Sequence, residues 1–240
     1  MKLWQIRKHW DLFAQTDPYW AVLSEPDKRG GKWEAEAFFA TGRTEADALM
    51  RHARRCRPGL ARGDALDFGC GVGRLTQALT AHFDRATGID ISVEMLSLAR
   101  RHNQHGDRVR YVHNPRSDLK GMPDDGFDLV VSMITLQHVE PGYARRYVRE
   151  LVRICRPGGL VMLQMPATRP PKLPPLNPPT PLRVVRRWLR LSFPRVAKME
   201  MHALPRSEME SLLASCGAAV FDVVRLEEPL FESYLYIAGR

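Results

Sequence analysis

This chain of 240 residues lacks the spacing patterns of metal ligands and disulfide frameworks. Its four cysteines, Cys56, Cys70, Cys155 and Cys216, are scattered, with no Cys-x-x-Cys pair, so neither a zinc site nor a set of disulfides is expected. Such sparse usage suits a reducing cytoplasm. No apolar run approaches the ~20 residues that a bilayer span requires. The first residues, Met1 to Lys8, lack the apolar core of a secretion signal. Acidic residues are missing from Leu151 to Met199, a stretch with ten Lys and Arg. The formal net charge of +9 therefore belongs to that one segment, because the remainder holds 26 basic against 27 acidic residues. No internal repeat is visible. A chain of this length can bury ~70–75% of its unfolded surface, enough for one domain with an elaborated cap.

What is present centres on Asp67-Phe68-Gly69-Cys70-Gly71-Val72-Gly73. This glycine-rich turn follows a short apolar segment, Ala65 to Phe68, and enters a helical pattern marked by Leu75, Leu79 and Phe83. Alternating glycines let main chain approach a ligand closely. A dinucleotide fingerprint would need a third glycine where Arg74 or Thr76 stands, and a P-loop would need a lysine that is absent. An ordinary surface turn remains the bland alternative. Downstream, Ala86 to Asp90 reads as a second strand ending in an acid, about 20 residues past the glycines, where a carboxylate can accept both hydroxyls of a ribose. Asp90 or Ser92 could instead cap a helix expected over Val93 to His105.

Three more strands follow at Val109–His113, Phe127–Met133 and Leu160–Met165. A helix ending over Leu151 to Arg156 is expected to stop at Pro157-Gly158-Gly159. A last helix spans Ser207 to Cys216, before two β-rich runs at Ala218–Leu226 and Ser233–Ala238.

The spacing Asp-x-Gly-x-Gly-x-Gly, followed in order by Asp90, Phe-Asp-Leu-Val-Val and Arg-Pro-Gly-Gly, resembles the class I S-adenosylmethionine (SAM)-dependent methyltransferases. The resemblance covers about residues 64–165. It implies an α/β fold, a three-layer α/β/α Rossmann-like sandwich on a seven-stranded, mostly parallel sheet with an antiparallel last strand. It also implies SAM as cofactor, bound through Asp67, Gly69, Cys70, Gly71, Gly73, Asp90, Ile91, Asn114 and Ser132. An acid at Asp67 suits the ammonium of the methionine part, and Cys70 is read as a small residue rather than a nucleophile. On this basis the chain divides into a helical cap (1–60), a SAM-binding core (61–165), a proline-rich basic insert or lid (166–206) and a C-terminal completion of the sheet (207–240).

His138, just past the fourth strand, is the candidate chemical residue. It could take a proton from a substrate hydroxyl, given an ordinary pKa near neutrality, or simply orient the loop and line the pocket. The N-terminal stretch reads as an amphipathic helix, with Leu3, Ile6, Trp10 and Phe13 on one face. For the aromatics from Tyr19 to Phe39, the resemblance to small-molecule methyltransferases implies a cap over the acceptor, and ordinary packing of a leading helix is the alternative.

The basic segment has two parts. Pro166 to Pro181 holds eight prolines, a density that forbids helix and sheet. Residues 182–193 read as a helix with Val185, Trp188 and Leu189 on one side and Arg183, Arg186, Arg187 and Arg190 on another. That helix could pack on the domain, meet a membrane surface peripherally, or close over an anionic substrate. Asn177-Pro178-Pro179-Thr180 lacks the terminal aromatic of base N-methyltransferases and follows the wrong strand. The expected reaction is methyl transfer, foremost O-methylation, to a small-molecule or a lipid- or sugar-linked acceptor. An RNA methyltransferase using the basic helix and a non-catalytic SAM-binding protein are the alternatives. Without an appended RNA-binding module, nucleic acid is not the expected partner.

Overall fold

The computed structural model describes residues 1–168, 197–227 and 230–240. The helix read at 182–193 and most of the proline-dense stretch lie outside these residues.

Seven strands form one sheet: β1 (Asp64–Phe68), β2 (Arg85–Asp90), β3 (Val109–His113), β4 (Phe127–Ser132), β5 (Cys155–Pro166), β6 (Ala219–Leu226) and β7 (Ser233–Gly239). Their spatial order is β3-β2-β1-β4-β5-β7-β6. All pairs are parallel except those made by β7, which runs antiparallel to both β5 and β6. The seven-stranded, mostly parallel sheet with an antiparallel last strand is therefore as expected.

The central strands are apolar on both faces, because helices cover both. Leu66 and Phe68, Val130, and Val161 and Leu163 point to one side. Ala65, Leu129 and Val131, and Leu160 and Met162 point to the other. Helices α1 (Leu3–Thr16), α2 (Pro18–Val22), α3 (Ala35–Cys56), α4 (Arg74–Leu79), α5 (Val93–Arg101), α6 (Pro141–Ile154) and α7 (Arg206–Ser215) surround this sheet. The chain winds outward from β1 to β3 and then returns to the other side of β1 as β4. That reversal opens a crevice at the carboxyl ends of β1 and β4, where ligands of open α/β sheets bind.

Two elements differ from the sequence expectation. Helix α6 stops at Ile154, before Pro157-Gly158-Gly159, and those residues belong to β5. They form an irregularity in the β4–β5 ladder, whose register passes from Phe127↔Cys155 directly to Leu129↔Leu160. The glycine is required by closeness: a Cβ on Gly159 would stand 2.8 Å from the Asp128 carbonyl oxygen and the Cys155 sulfur. Arg156 turns back to bind Asp128 at 2.8 Å and Asp64 at 3.3 Å. Helix α5 is also shorter than expected, ending at Arg101 rather than His105. The Asn103 side chain accepts from the His105 amide (2.9 Å) and donates to the Gly106 carbonyl (3.0 Å), replacing helical bonds with a local turn.

The N-terminal helices lie over the crevice. Phe13, Trp33, Phe38, Val72 and Met95 form a separate apolar cluster beneath them. Asp11 fastens α1 to the start of α5 by accepting from the Ser92 hydroxyl at 2.7 Å.

Candidate active site

The glycine turn leaves β1 and folds back on β2. The amides of Gly69 and Cys70 both donate to the Ile89 carbonyl, at 2.7 and 3.0 Å. Gly69, Gly71 and Gly73 all have left-handed backbone, with φ of 79°, 53° and 82°. Their surroundings differ. A Cβ on Gly69 would collide with the Thr135 side chain, and one on Gly73 with the Tyr111 hydroxyl. On Gly71 it would meet only Val22, at 3.1 Å, on the wall of the crevice. Gly71 is thus the position that leaves room for a ligand, whereas the other two make room for protein.

Two carboxylates flank the turn. Asp67, 3% exposed, accepts a 2.6 Å bond from the Thr76 hydroxyl. Burial raises its pKa to about 7, against the opposing pull of that bond and of Arg74. Asp90 accepts from the Gly71 amide at 2.9 Å and from the Ser92 amide at 2.7 Å, and burial raises its pKa too. The α5 cap is supplied by Ser92, whose hydroxyl accepts from the Met95 amide at 3.1 Å. Asp90 therefore braces the glycine turn while facing the crevice.

The crevice is partly open to solvent. Of the residues singled out by sequence, Asp67, Gly69, Cys70, Gly71, Asp90, Ile91, Asn114 and His138 line it together. Gly73 and Ser132 stand outside the lining. Gly73 begins α4 under Tyr111, and the Ser132 hydroxyl is buried, donating to the Phe68 carbonyl at 3.1 Å. Burial pushes the Cys70 thiol well above its ordinary range, which leaves no thiolate for nucleophilic work.

Sequence reasoning missed Arg74, seeing there only an absent glycine. Among the described residues of the lining it is the sole cation. It is 5% exposed, pairs with Glu45 and donates to the Thr41 hydroxyl at 3.2 Å, while its Nε has no partner. Ile134 was missed as well. It has φ of 55°, a strained value for a β-branched residue. Its amide is held by the buried Gln164 side chain at 2.9 Å, and no sequence signal marks that pairing.

His138 lines the crevice with its ring in edge contact with Trp10. Its Nδ1 donates to the Glu200 carbonyl at 2.8 Å, which leaves Nε2 as the acceptor nitrogen. The Gln137 amide approaches Nε2 at 3.3 Å. Burial lowers the pKa to about 4, so the imidazole is neutral at physiological pH. The expectation of an ordinary value near neutrality is thereby corrected, since the group is desolvated beneath α1.

The residues present fit SAM: a bare turn at Gly71, acids at Asp67 and Asp90 for ammonium and ribose, and an arginine for a carboxylate. Residues 66–163, about two fifths of the chain, match the family model described as a methyltransferase domain, in keeping with the class I SAM-dependent methyltransferase fold of the sheet. A ubiquinone biosynthesis O-methyltransferase of Aromatoleum aromaticum is 38% identical over 104 residues, 43% of this chain and 44% of that protein. A demethylmenaquinone methyltransferase of Clavibacter sepedonicus is 35% identical over 133 residues, 55% of this chain and 48% of that one. The matched part of this chain spans less than half the length of these curated relatives. Among solved structures, the magnesium protoporphyrin IX methyltransferase of Synechocystis PCC 6803 shares the fold, with a TM-score of 0.67 at 17% identity over 100% of both chains. No helix among the described residues is long and apolar enough to cross a membrane.

Proposed function

We propose that this protein is a SAM-dependent O-methyltransferase of a small, largely apolar acceptor bearing a hydroxyl. The observation that carries the reading is the mixed lining of the crevice. Two acids, the glycine turn and Arg74 share it with Leu3, Ile6, Trp10, Ile134 and Val139 and a single imidazole. In this reading Asp67 takes the ammonium, Arg74 the carboxylate, Asp90 the ribose hydroxyls, and Ile91 and Asn114 the neighbouring wall. When bound, SAM supplies an electrophilic methyl group. The chain's own contribution is alignment and exclusion of water, and holding reactants in attack geometry can be worth ~7–11 kcal/mol.

His138 acts within this reading through Nε2. An acceptor hydroxyl reaching that atom would displace the long Gln137 contact and donate a hydrogen bond to it, orienting the oxygen for attack, since a pKa of about 4 makes the ring a weak base. The tautomer needed is already set by the Glu200 carbonyl. Residues 1–60 serve as the cap, since α1 contributes Leu3, Ile6 and Trp10 to the lining. An amphiphilic acceptor fits such walls, in keeping with relatives named for ubiquinone biosynthesis. Peripheral membrane contact through 182–193 rests on the amphipathic pattern of that sequence alone.

The test is methyl transfer from isotopically labelled SAM into fractionated extract, with the label recovered as a base-stable ether. Label appearing in RNA, or in no fraction despite tight SAM binding, would overturn the assignment.

A further inference from the structure

A second concavity, partly open to solvent, lies between the start of α3, α4 and the turn after α5. It shares Arg74 with the cofactor crevice, and the cofactor reading uses none of its other lining residues. Its wall is rich in cationic and donor groups. Arg43 is exposed on α3 and makes no ion pair among the described residues. Arg108, opposite, spends Nε and Nη2 on the carbonyls of Asp84, Thr80 and Phe83, leaving Nη1 available. Gln77, only 6% exposed, accepts from the Gln104 amide through its Oε1 at 3.1 Å.

Two features of the same wall favour an anion. Helix α3 is 22 residues long and starts here at Ala35, and its N-cap residue Glu34 makes no side-chain bond to it. The first-turn amides and the positive end of the helix dipole are therefore left without a side-chain cap. Glu36 is the sole acid on the described wall, against Arg43 and Arg108, the charge of Arg74 being taken up by Glu45. His102 and His105, each held below the ordinary imidazole range mainly by burial, line the wall as neutral hydrogen-bonding rings. Phe39 packs against His102, with ring centroids 5.3 Å apart, and gives the pocket a flat aromatic side.

We propose that this pocket binds a small phosphate monoester, with Arg43 and Arg108 on the phosphate and Phe39 beside an attached ring. Guanidinium forks match phosphate oxygens in both charge and geometry. The site goes beyond the methyltransferase reading and does not depend on it.

The experiment is calorimetric titration of the full chain saturated with S-adenosylhomocysteine, which keeps the probe out of the cofactor crevice. Inorganic phosphate, AMP and adenosine are titrated in turn. Phosphate and AMP should bind saturably, AMP the tighter, and adenosine far more weakly. Arg43→Glu should weaken both anions by about tenfold or more without altering S-adenosylhomocysteine affinity. Arg43→Gln should act in the same direction with a smaller effect. Absence of saturable phosphate binding, affinity untouched by the charge reversal, or adenosine binding as well as AMP would each overturn the site. Should S-adenosylhomocysteine itself fail to bind, the cofactor reading falls, while the phosphate titration still decides this pocket.

Discussion

Among single residues, Asp67 gives the sharpest test. Its folded-state pKa of about 7 means that the free protein holds a proton there below neutrality. A cationic ammonium prefers the carboxylate, so SAM affinity should fall as pH drops through about 7, with proton release on binding at lower pH. Calorimetry in buffers of different ionisation heat measures both, and a flat affinity would remove Asp67 from the cofactor contacts. The stability sign is opposite. A raised carboxyl pKa favours the folded state at low pH, and that advantage is lost as pH rises from the ordinary carboxylate range through about 7. Arg74 carries a second prediction. Arg74→Gln should weaken SAM binding by about tenfold or more, because a charge-assisted bond to a carboxylate is lost. The Glu45 carboxylate left without its partner should lower stability as well.

At the scale of elements, the glycine turn separates into two kinds of position. Gly71→Arg should abolish SAM binding and leave the fold cooperative, at a cost of about 1–2 kcal/mol for a left-handed non-glycine residue. Gly73→Ala should instead destabilise the fold by more than that strain alone, since its Cβ meets the Tyr111 ring system rather than open space. Thermal and denaturant unfolding read both variants, and equal stability losses would show that the turn does not divide this way. Gly159→Val in the β5 irregularity should cost about 1–3 kcal/mol by overpacking against the Asp128 carbonyl and Cys155. Strands were the legible elements: Val109–His113 is the same in sequence and structure, because burial of Val109 and Tyr111 around exposed Arg110 writes the two-residue period of an edge strand. Helix ends were less legible. Asn103 side-chain bonds and the early start of β5 at Cys155 are decided by partners far along the chain or by local turns that periodicity does not report.

For the molecule as a whole, the cap and the returning segment 197–204 decide what His138 can do. The Glu200 carbonyl sets its tautomer, the His202 amide bonds the Gln137 carbonyl at 2.7 Å, and Trp10 shields its ring. His138→Ala should lower turnover while leaving SAM affinity nearly unchanged. The pH–rate profile of the wild type should show no inflection at the ordinary imidazole value, because protonation of His138 sets in only near pH 4. An inflection near 6.5 that vanishes in His138→Ala would show that the ring is solvated during turnover.

The sequence by itself determined the strands and the glycine turn with Asp67 and Asp90 beside it, because these depend on local steric need and on apolar patterning along single strands. Eight of the residues it singled out meet in one crevice. Only the tertiary structure decided that Arg74 faces that crevice, that Gly73 serves Tyr111, and that His138 is desolvated beneath α1. Charge pairing, close packing and the loss of water arise between segments distant in the chain, and no window of sequence contains both sides of such a contact.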